Sequence, residues 1–137
     1  MHPVLHVFTT AQALEKAAAR LFRPHGLTVA QFNVLNTLSG TEGMRASALA
    51  DALIVDPSNV TGLLKRMTRD GLLREAPNTG DRRQYVVTLS PRGRAVWRRA
   101  SAEYEARLAQ VAATASGADL AALGRALDSF TRNVSQP

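Results

Sequence analysis

The sequence predicts a mainly α-helical chain with a small β-wing, a winged helix-turn-helix core flanked by N- and C-terminal helices. Three observations predict it. Apolar residues recur at helical spacing through most of the 137 residues. Two short helical segments, "RASALADAL" and "PSNVTGLLKRMTRDG", are separated by only a few residues. An alternating run, Tyr85, Val87 and Leu89, follows a Thr-Gly-Asp turn, as the second arm of a hairpin does.

The first helix is expected from Pro3 to Arg23. Val4, Val7, Phe8, Ala11, Leu14, Ala18 and Leu21 form its stripe, Pro3 suits a first helical position, and Pro24 with Gly26 ends it. The second opens at "TVAQ", where Thr28 caps and Gln31 reaches back in a capping box. Phe32, Leu35 and Leu38 are its inner face, and Gly40 closes it. After the loop "SGTEGM", Ala46 to Leu53 forms a short helix with Leu49 and Leu53 inward.

Asp56 and Pro57 then suit the cap and first residue of a further helix ending at Gly71. Val60, Leu63, Leu64 and Met67 share its inner face, which turns Ser58, Asn59, Thr61, Lys65, Arg66 and Arg69 outward. Leu72 to Ala76 pairs with the alternating run as a hairpin that holds Asp81, Arg82 and Arg83 at its tip. A long helix follows, capped by Ser90 with Pro91 first and interrupted at Gly117. Asp119 is expected to cap a last helix carrying Leu120, Leu123, Leu127, Phe130 and Val134.

The expected organisation is residues 1–27 as an N-terminal dimerisation helix, 28–90 as the winged helix-turn-helix lobe, and 91–137 as C-terminal dimerisation helices. The terminal helices are more apolar than a winged-helix core needs, and a second copy of the chain would cover the surplus.

Composition removes several function classes. The chain has no cysteine, which excludes disulfides, thiolate metal sites and a thiol nucleophile. No apolar run approaches membrane-spanning length, and "MHPVLHVFTTAQALEKAAARLF" lacks the basic start and cleavage site of a signal peptide, so the cytoplasm is expected. Residues 45–99 hold eleven Lys/Arg against five Asp/Glu, whereas the rest of the chain holds six of each, so the whole net charge of +6 sits in the middle. A concentrated basic segment in a folded domain is the footprint of a polyanion, and a soluble arginine-rich surface is the plainer alternative.

A helix-turn-helix lays its second helix in the major groove of double-stranded DNA, where residues near the helix N-terminus meet base edges. Ser58, Asn59 and Thr61 are short donors and acceptors in that position, while Lys65, Arg66 and Arg69 lie where the phosphate backbone would run. Helix-start chemistry and a solvated face are the plain readings of the two groups. Gly62 in mid-helix costs roughly 1 kcal/mol relative to alanine, which a close approach to DNA or to the neighbouring helix would explain. The hairpin tip is placed for the adjacent minor groove, where narrow A·T-rich stretches attract arginine. Asp81 is expected to hold Arg83, two residues on, in an extended pose; a surface pair that stabilises the turn is the alternative.

The stretch "LADALIVDPSNVTGLLKRMTRDGLLREAPNTGDRRQYVVTLSPRG" closely resembles the winged-helix core of MarR-type bacterial transcriptional regulators. The resemblance extends over the flanking helices, and the family's wing motif is matched by Asp81, Arg83, Leu89, Ser90 and Gly93. It implies a homodimer built on the first and last helices that binds a pseudo-palindromic operator, most simply as a repressor. It also implies release by a small, often phenolic, ligand in a crevice between the dimer helices and the DNA-binding lobe. Phe8, Phe32, Trp97 and Tyr104 are candidate lining residues there, with core or interface as the plain reading. Where relatives cap the first helix of the motif with Thr or Ser, this chain has Arg45, a candidate phosphate contact.

An enzyme is not expected, since His2, His6 and His25 form no recognisable acid–base–nucleophile pattern, and no cofactor is implied. A metal-responsive regulator would rest on His2 and His6, four residues apart at a fraying terminus without an evident third ligand. A winged helix serving protein–protein contacts would not need the charge excess on the recognition helix and wing. Arg92, Arg94, Arg98 and Arg99 crowd a helix N-terminus, where the dipole disfavours cations; phosphate, or Glu103 and Glu105, are their candidate partners.

Overall fold

The computed structural model describes residues 1–137 except Ile54, Thr79, Arg82, Arg83 and Pro137. Among the described residues six α-helices and one hairpin follow in order: α1 (Leu5–Phe22), α2 (Val29–Leu38), α3 (Ala46–Leu53), α4 (Pro57–Arg69), β1 (Leu73–Pro77), β2 (Tyr85–Leu89), α5 (Pro91–Ala112) and α6 (Gly117–Val134). A 3-10 turn, Arg23–His25, joins α1 to α2 and ends on Gly26 at φ 73°, a conformation glycine adopts without strain. This mainly α architecture with a two-stranded wing is the fold class expected from the sequence.

The capping box forms as the "TVAQ" pattern requires: Gln31 N donates to Thr28 Oγ1 at 3.1 Å and Thr28 N donates to Gln31 Oε1 at 2.9 Å. It fixes the direction in which α2 enters the core. Phe22 from the end of α1 stacks on Phe32 of α2, ring centroids 4.0 Å apart. Leu35, Leu38, Leu49, Val60 and Met67 complete a core drawn from α2, α3 and α4. Each such side chain contributes about 1.5–3 kcal/mol through its removal from water. In α1, by contrast, residues 1–17 are exposed and burial begins at Ala18.

The chain divides into two compact units, Met1–Glu103 and Tyr104–Pro137. The division falls within α5, whose first turns bury Gly93 and Ala100 in the first unit.

Four local expectations are corrected. Helix α1 starts at Leu5, not Pro3: His2 Nδ1 accepts from Val4 N at 3.2 Å, which holds Pro3 and Val4 in a turn. Helix α4 ends at Arg69, with Asp70 as its C-cap and Gly71 at φ 79° reversing the chain. The loop before α3 joins the wing at one residue, Met44, in an isolated antiparallel bridge, through Met44 N to Val87 O (3.1 Å) and Val87 N to Met44 O (2.8 Å).

The fourth correction concerns α6. Ser116, not Asp119, is its N-cap, with Ser116 Oγ accepting from Asp119 N at 3.1 Å. The Ser116 hydroxyl in turn donates to Asp119 Oδ2 at 2.7 Å. Ser-x-x-Asp is itself a capping pattern, and it lets Gly117 open the last helix.

Candidate nucleic-acid interface

Helix α4 is set by its own first residues. Asp56 adopts an extended backbone and its Oδ1 accepts from Ser58 N at 2.9 Å and from Ser58 Oγ at 2.6 Å. Those two bonds, the hydroxyl first, hold the Asp56 carboxyl below its ordinary value of 3.8. The helix start thus carries its own anion, and the Ser58 amide is not free for phosphate.

Ser58, Asn59, Thr61, Lys65, Arg66 and Arg69 are all exposed on one side of α4, opposite buried Val60, Leu64 and Met67. The hydroxyl protons are committed: Ser58 to Asp56, and Thr61 Oγ1 to the Pro57 carbonyl at 3.2 Å. What these two hydroxyls offer outward is therefore acceptor lone pairs, suited to an amino group on adenine or cytosine. Asn59 brings both a donor and an acceptor. Arg69 lies beside Asp70 at 3.4 Å, an exposed pair. A Cβ on Gly62 would meet only Arg66 Nη1, at 3.3 Å, so the neighbouring helix does not explain this glycine.

The wing pairs Leu73 with Leu89 through to Pro77 with Tyr85. Val87 and Leu89 are buried while Tyr85 is exposed, so the alternating run is anchored at one end and free at the other. Gln84 N donates to Asp81 O at 3.1 Å and Asn78 N to Gln84 O at 2.8 Å, which closes the base of the tip. Asp81 is exposed there. Arg82 and Arg83, and with them the expected Asp81–Arg83 pairing, lie outside the described residues.

The sequence pattern of the MarR family matches residues 25–84. The homoprotocatechuate degradative operon repressor of Escherichia coli is 33% identical over 135 residues, 95% of this chain and 89% of that protein. The transcriptional activatory protein BadR of Rhodopseudomonas palustris is 39% identical over 94 residues, 66% of this chain; the match spans about half of BadR, 54% of its length. The M. tuberculosis transcriptional regulator MOSR, solved in complex with DNA, is 30% identical with a TM-score of 0.70, covering 95% of this chain and 98% of that one.

The chain belongs to the MarR family. The family's wing motif has a packing basis in this member. Ser90 caps α5 by accepting from Gly93 N at 2.9 Å, while its hydroxyl donates to the Gly71 carbonyl. A Cβ on Gly93 would run into the Leu72 carbonyl, so α5 docks beside the end of α4 only with glycine at that position. Ser90 and Gly93 are thus parts of a joint, and sequence reading alone matched them as letters.

Arg45 is the departure from the family pattern. Its carbonyl accepts from Leu49 N at 3.0 Å as an N-cap residue does, and its Nη1 donates to Gln84 Oε1 at 2.9 Å. Gln84 went unnoticed in the sequence because nothing local marks it.

The crowded arginines of α5 find partners that neither expectation named. Arg92 Nη1 donates to the Asp70 carbonyl at 2.9 Å, and Arg94 Nη1 reaches the Ser39 carbonyl at 3.5 Å. Asp70 and Ser39 are the C-caps of α4 and α2, where helix dipoles favour a cation. Glu103 is occupied by His25 Nε2 at 2.7 Å. Arg98 and Arg99 are exposed.

The four aromatic candidates are not alike. Phe32 is sealed in the core against Phe22 and belongs there. Trp97 is half-buried and its Nε1 donates to Asn36 Oδ1 at 3.1 Å. Phe8 is 65% exposed on α1, and Tyr104, half-buried, opens the second unit. Among the described residues no three His, Cys, Asp or Glu side chains gather as a metal site. Among them, too, no helix is long and apolar enough to cross a membrane.

Proposed function

We propose that this chain is a DNA-binding transcriptional regulator that acts as a homodimer on a pseudo-palindromic operator. The observation that carries the reading is the outward face of α4, with acceptors and an amide at its start and Lys65, Arg66 and Arg69 behind them, all exposed. Ser58, Asn59 and Thr61 read base edges; Lys65, Arg66 and Arg69 hold the phosphate backbone. Gly62 lets the helix backbone approach the groove, and Asp81, Arg82 and Arg83 carry the wing to the minor groove. MOSR, solved with DNA, supports the partner.

Dimerisation is supported by exposed apolar side chains at both ends of the chain. Val4, Leu5, Val7, Phe8 and Leu14 line α1, and Leu120, Leu123, Phe130 and Val134 recur along α6 at helical spacing. A second copy covers them and places two recognition helices on successive major grooves, roughly 34 Å apart. Residues 91–137 are, in this reading, chiefly dimerisation helices, and the protein works in the cytoplasm.

Repression is favoured over activation because the relative aligned over 95% of the chain is named a repressor, although BadR is named an activator. The effector is a small aromatic, phenolic or anionic molecule. The E. coli relative's name, for an operon degrading the phenolic acid homoprotocatechuate, supports that class. Such a ligand releases DNA by binding better to a form whose recognition helices are mis-spaced. Phe8 and Trp97 remain candidate lining residues.

Footprinting on DNA flanking the gene tests the reading, with salicylate and homoprotocatechuate added in turn. A protected inverted repeat that one acid releases supports it. Protection of a single asymmetric half-site would contradict the dimer.

A further inference from the structure

We propose that Arg45 and Gln84 form a latch that sets the wing against the helix-turn-helix, making Arg45 a positioning residue for minor-groove contacts. The inference rests on the DNA-binding reading of the wing. Arg45 stands between two fixed points. Met44 before it exchanges both backbone hydrogen bonds with Val87, and its own carbonyl accepts from Leu49 at the start of α3. Gln84 is fixed equally well, since its N–H donates to Asp81 O and its carbonyl accepts from Asn78 N. The bond from Arg45 Nη1 to Gln84 Oε1, 2.9 Å, therefore ties the entry of the DNA-binding motif to the base of the wing tip.

The wing needs such a tie. Two strands alone are only marginally stable, and the backbone bridge at Val87 lies three residues from Gln84 toward the core. The Arg45 side chain adds a tie at Gln84, on the tip side of that bridge.

The chemistry of the acceptor is informative. A carboxylate at position 84 would orient the guanidinium equally well but would cancel its charge beside DNA. The neutral amide orients Arg45 and leaves the positive field intact. One of the five guanidinium donors is used, so the latch survives next to phosphate.

Gln84→Met removes the acceptor without changing charge and separates the latch from a simple phosphate contact. Affinity is measured on duplexes whose flanks are A·T-rich or G·C-rich, over a salt series, and amide exchange is followed at Asn78 in the free protein. The latch predicts that Gln84→Met lowers the A·T-flank preference about fivefold, the worth of one modest hydrogen bond, at unchanged salt slope. The Asn78 amide then exchanges faster. Arg45→Ala produces the same flank loss, and the double variant loses no more.

Unchanged flank preference in Gln84→Met overturns the proposal, whatever Arg45→Ala does. A phosphate contact would instead show in Arg45→Ala alone, as weaker binding to every duplex and a slope shallower by about one. Should the wild type bind no duplex, the DNA reading fails, and the exchange of Asn78 alone decides the latch: faster exchange in both variants upholds it, unchanged exchange overturns it.

Discussion

Arg92 of α5 donates from Nη1 to the carbonyl of Asp70, the C-cap of α4, at 2.9 Å. Together with Ser90 on the Gly71 carbonyl, this bond makes the first turn of α5 the closure of α4.

That joint can be broken in two ways. Arg92→Ala removes one partly solvated bond and should cost about 0.5–1.5 kcal/mol in urea unfolding. Its salt slope on DNA should stay as in the wild type, because the guanidinium faces a carbonyl. Gly93→Ala forces a methyl group against the Leu72 carbonyl and should cost about 1–3 kcal/mol or more. Equal, negligible losses in both would show that α5 is not seated on α4.

Asp56 gives the start of α4 a dependence on pH. Its carboxyl is held below 3.8 in the folded chain, so the folded state binds this proton less readily than the unfolded state. The stabilisation is present above pH 3.8 and is lost as pH falls through the lowered folded value. Asp56→Asn keeps a capping side chain but cannot titrate. Below pH 3.8 the wild type should therefore lose stability more steeply than Asp56→Asn; parallel unfolding midpoints across that range would contradict the cap.

The fold was largely legible in the sequence, for local reasons. The helix starts at Thr28 and Asp56 are chemistry within four residues, and each appears as read. Long-range partners were not legible. Nothing near Arg45 names Gln84, and nothing near Arg92 names the Asp70 carbonyl, because backbone acceptors carry no residue letter. The misplaced start of α6 had a different cause: Ser116 and Asp119 are both good capping residues, and Gly117 suggested a break. Of the outward residues on α4, the sequence periodicity identified the face but not that two hydroxyl protons are already spent on Asp56 and Pro57.

The two groups on α4 should fail differently. Asn59→Ala or Thr61→Ala should relax sequence preference, costing roughly 1–3 kcal/mol on the best site and little elsewhere. Lys65→Ala or Arg69→Ala should weaken all duplexes alike and flatten the salt slope by about one per lost phosphate contact. Competition between matched and scrambled duplexes separates the outcomes. Even losses on every sequence from all four variants would refute the division.

Phe8→Glu or Leu123→Glu places a charge on a surface read as dimer interface. Sedimentation should show a monomer for either variant at concentrations where the wild type is a dimer. A stable, soluble wild-type monomer at micromolar concentration would remove the dimer from the account.

The central claim is that the outward face of α4 binds duplex DNA through phosphate and base contacts together. The most direct measurement is an anisotropy titration of the wild type on operator and scrambled duplexes over a series of salt concentrations. With Lys65, Arg66 and Arg69 engaged in each of two protomers, log K should fall against log salt with a slope of about −5. The operator should stay tighter than the scrambled duplex throughout. Binding indifferent to salt, or no duplex binding even at low salt, would contradict it.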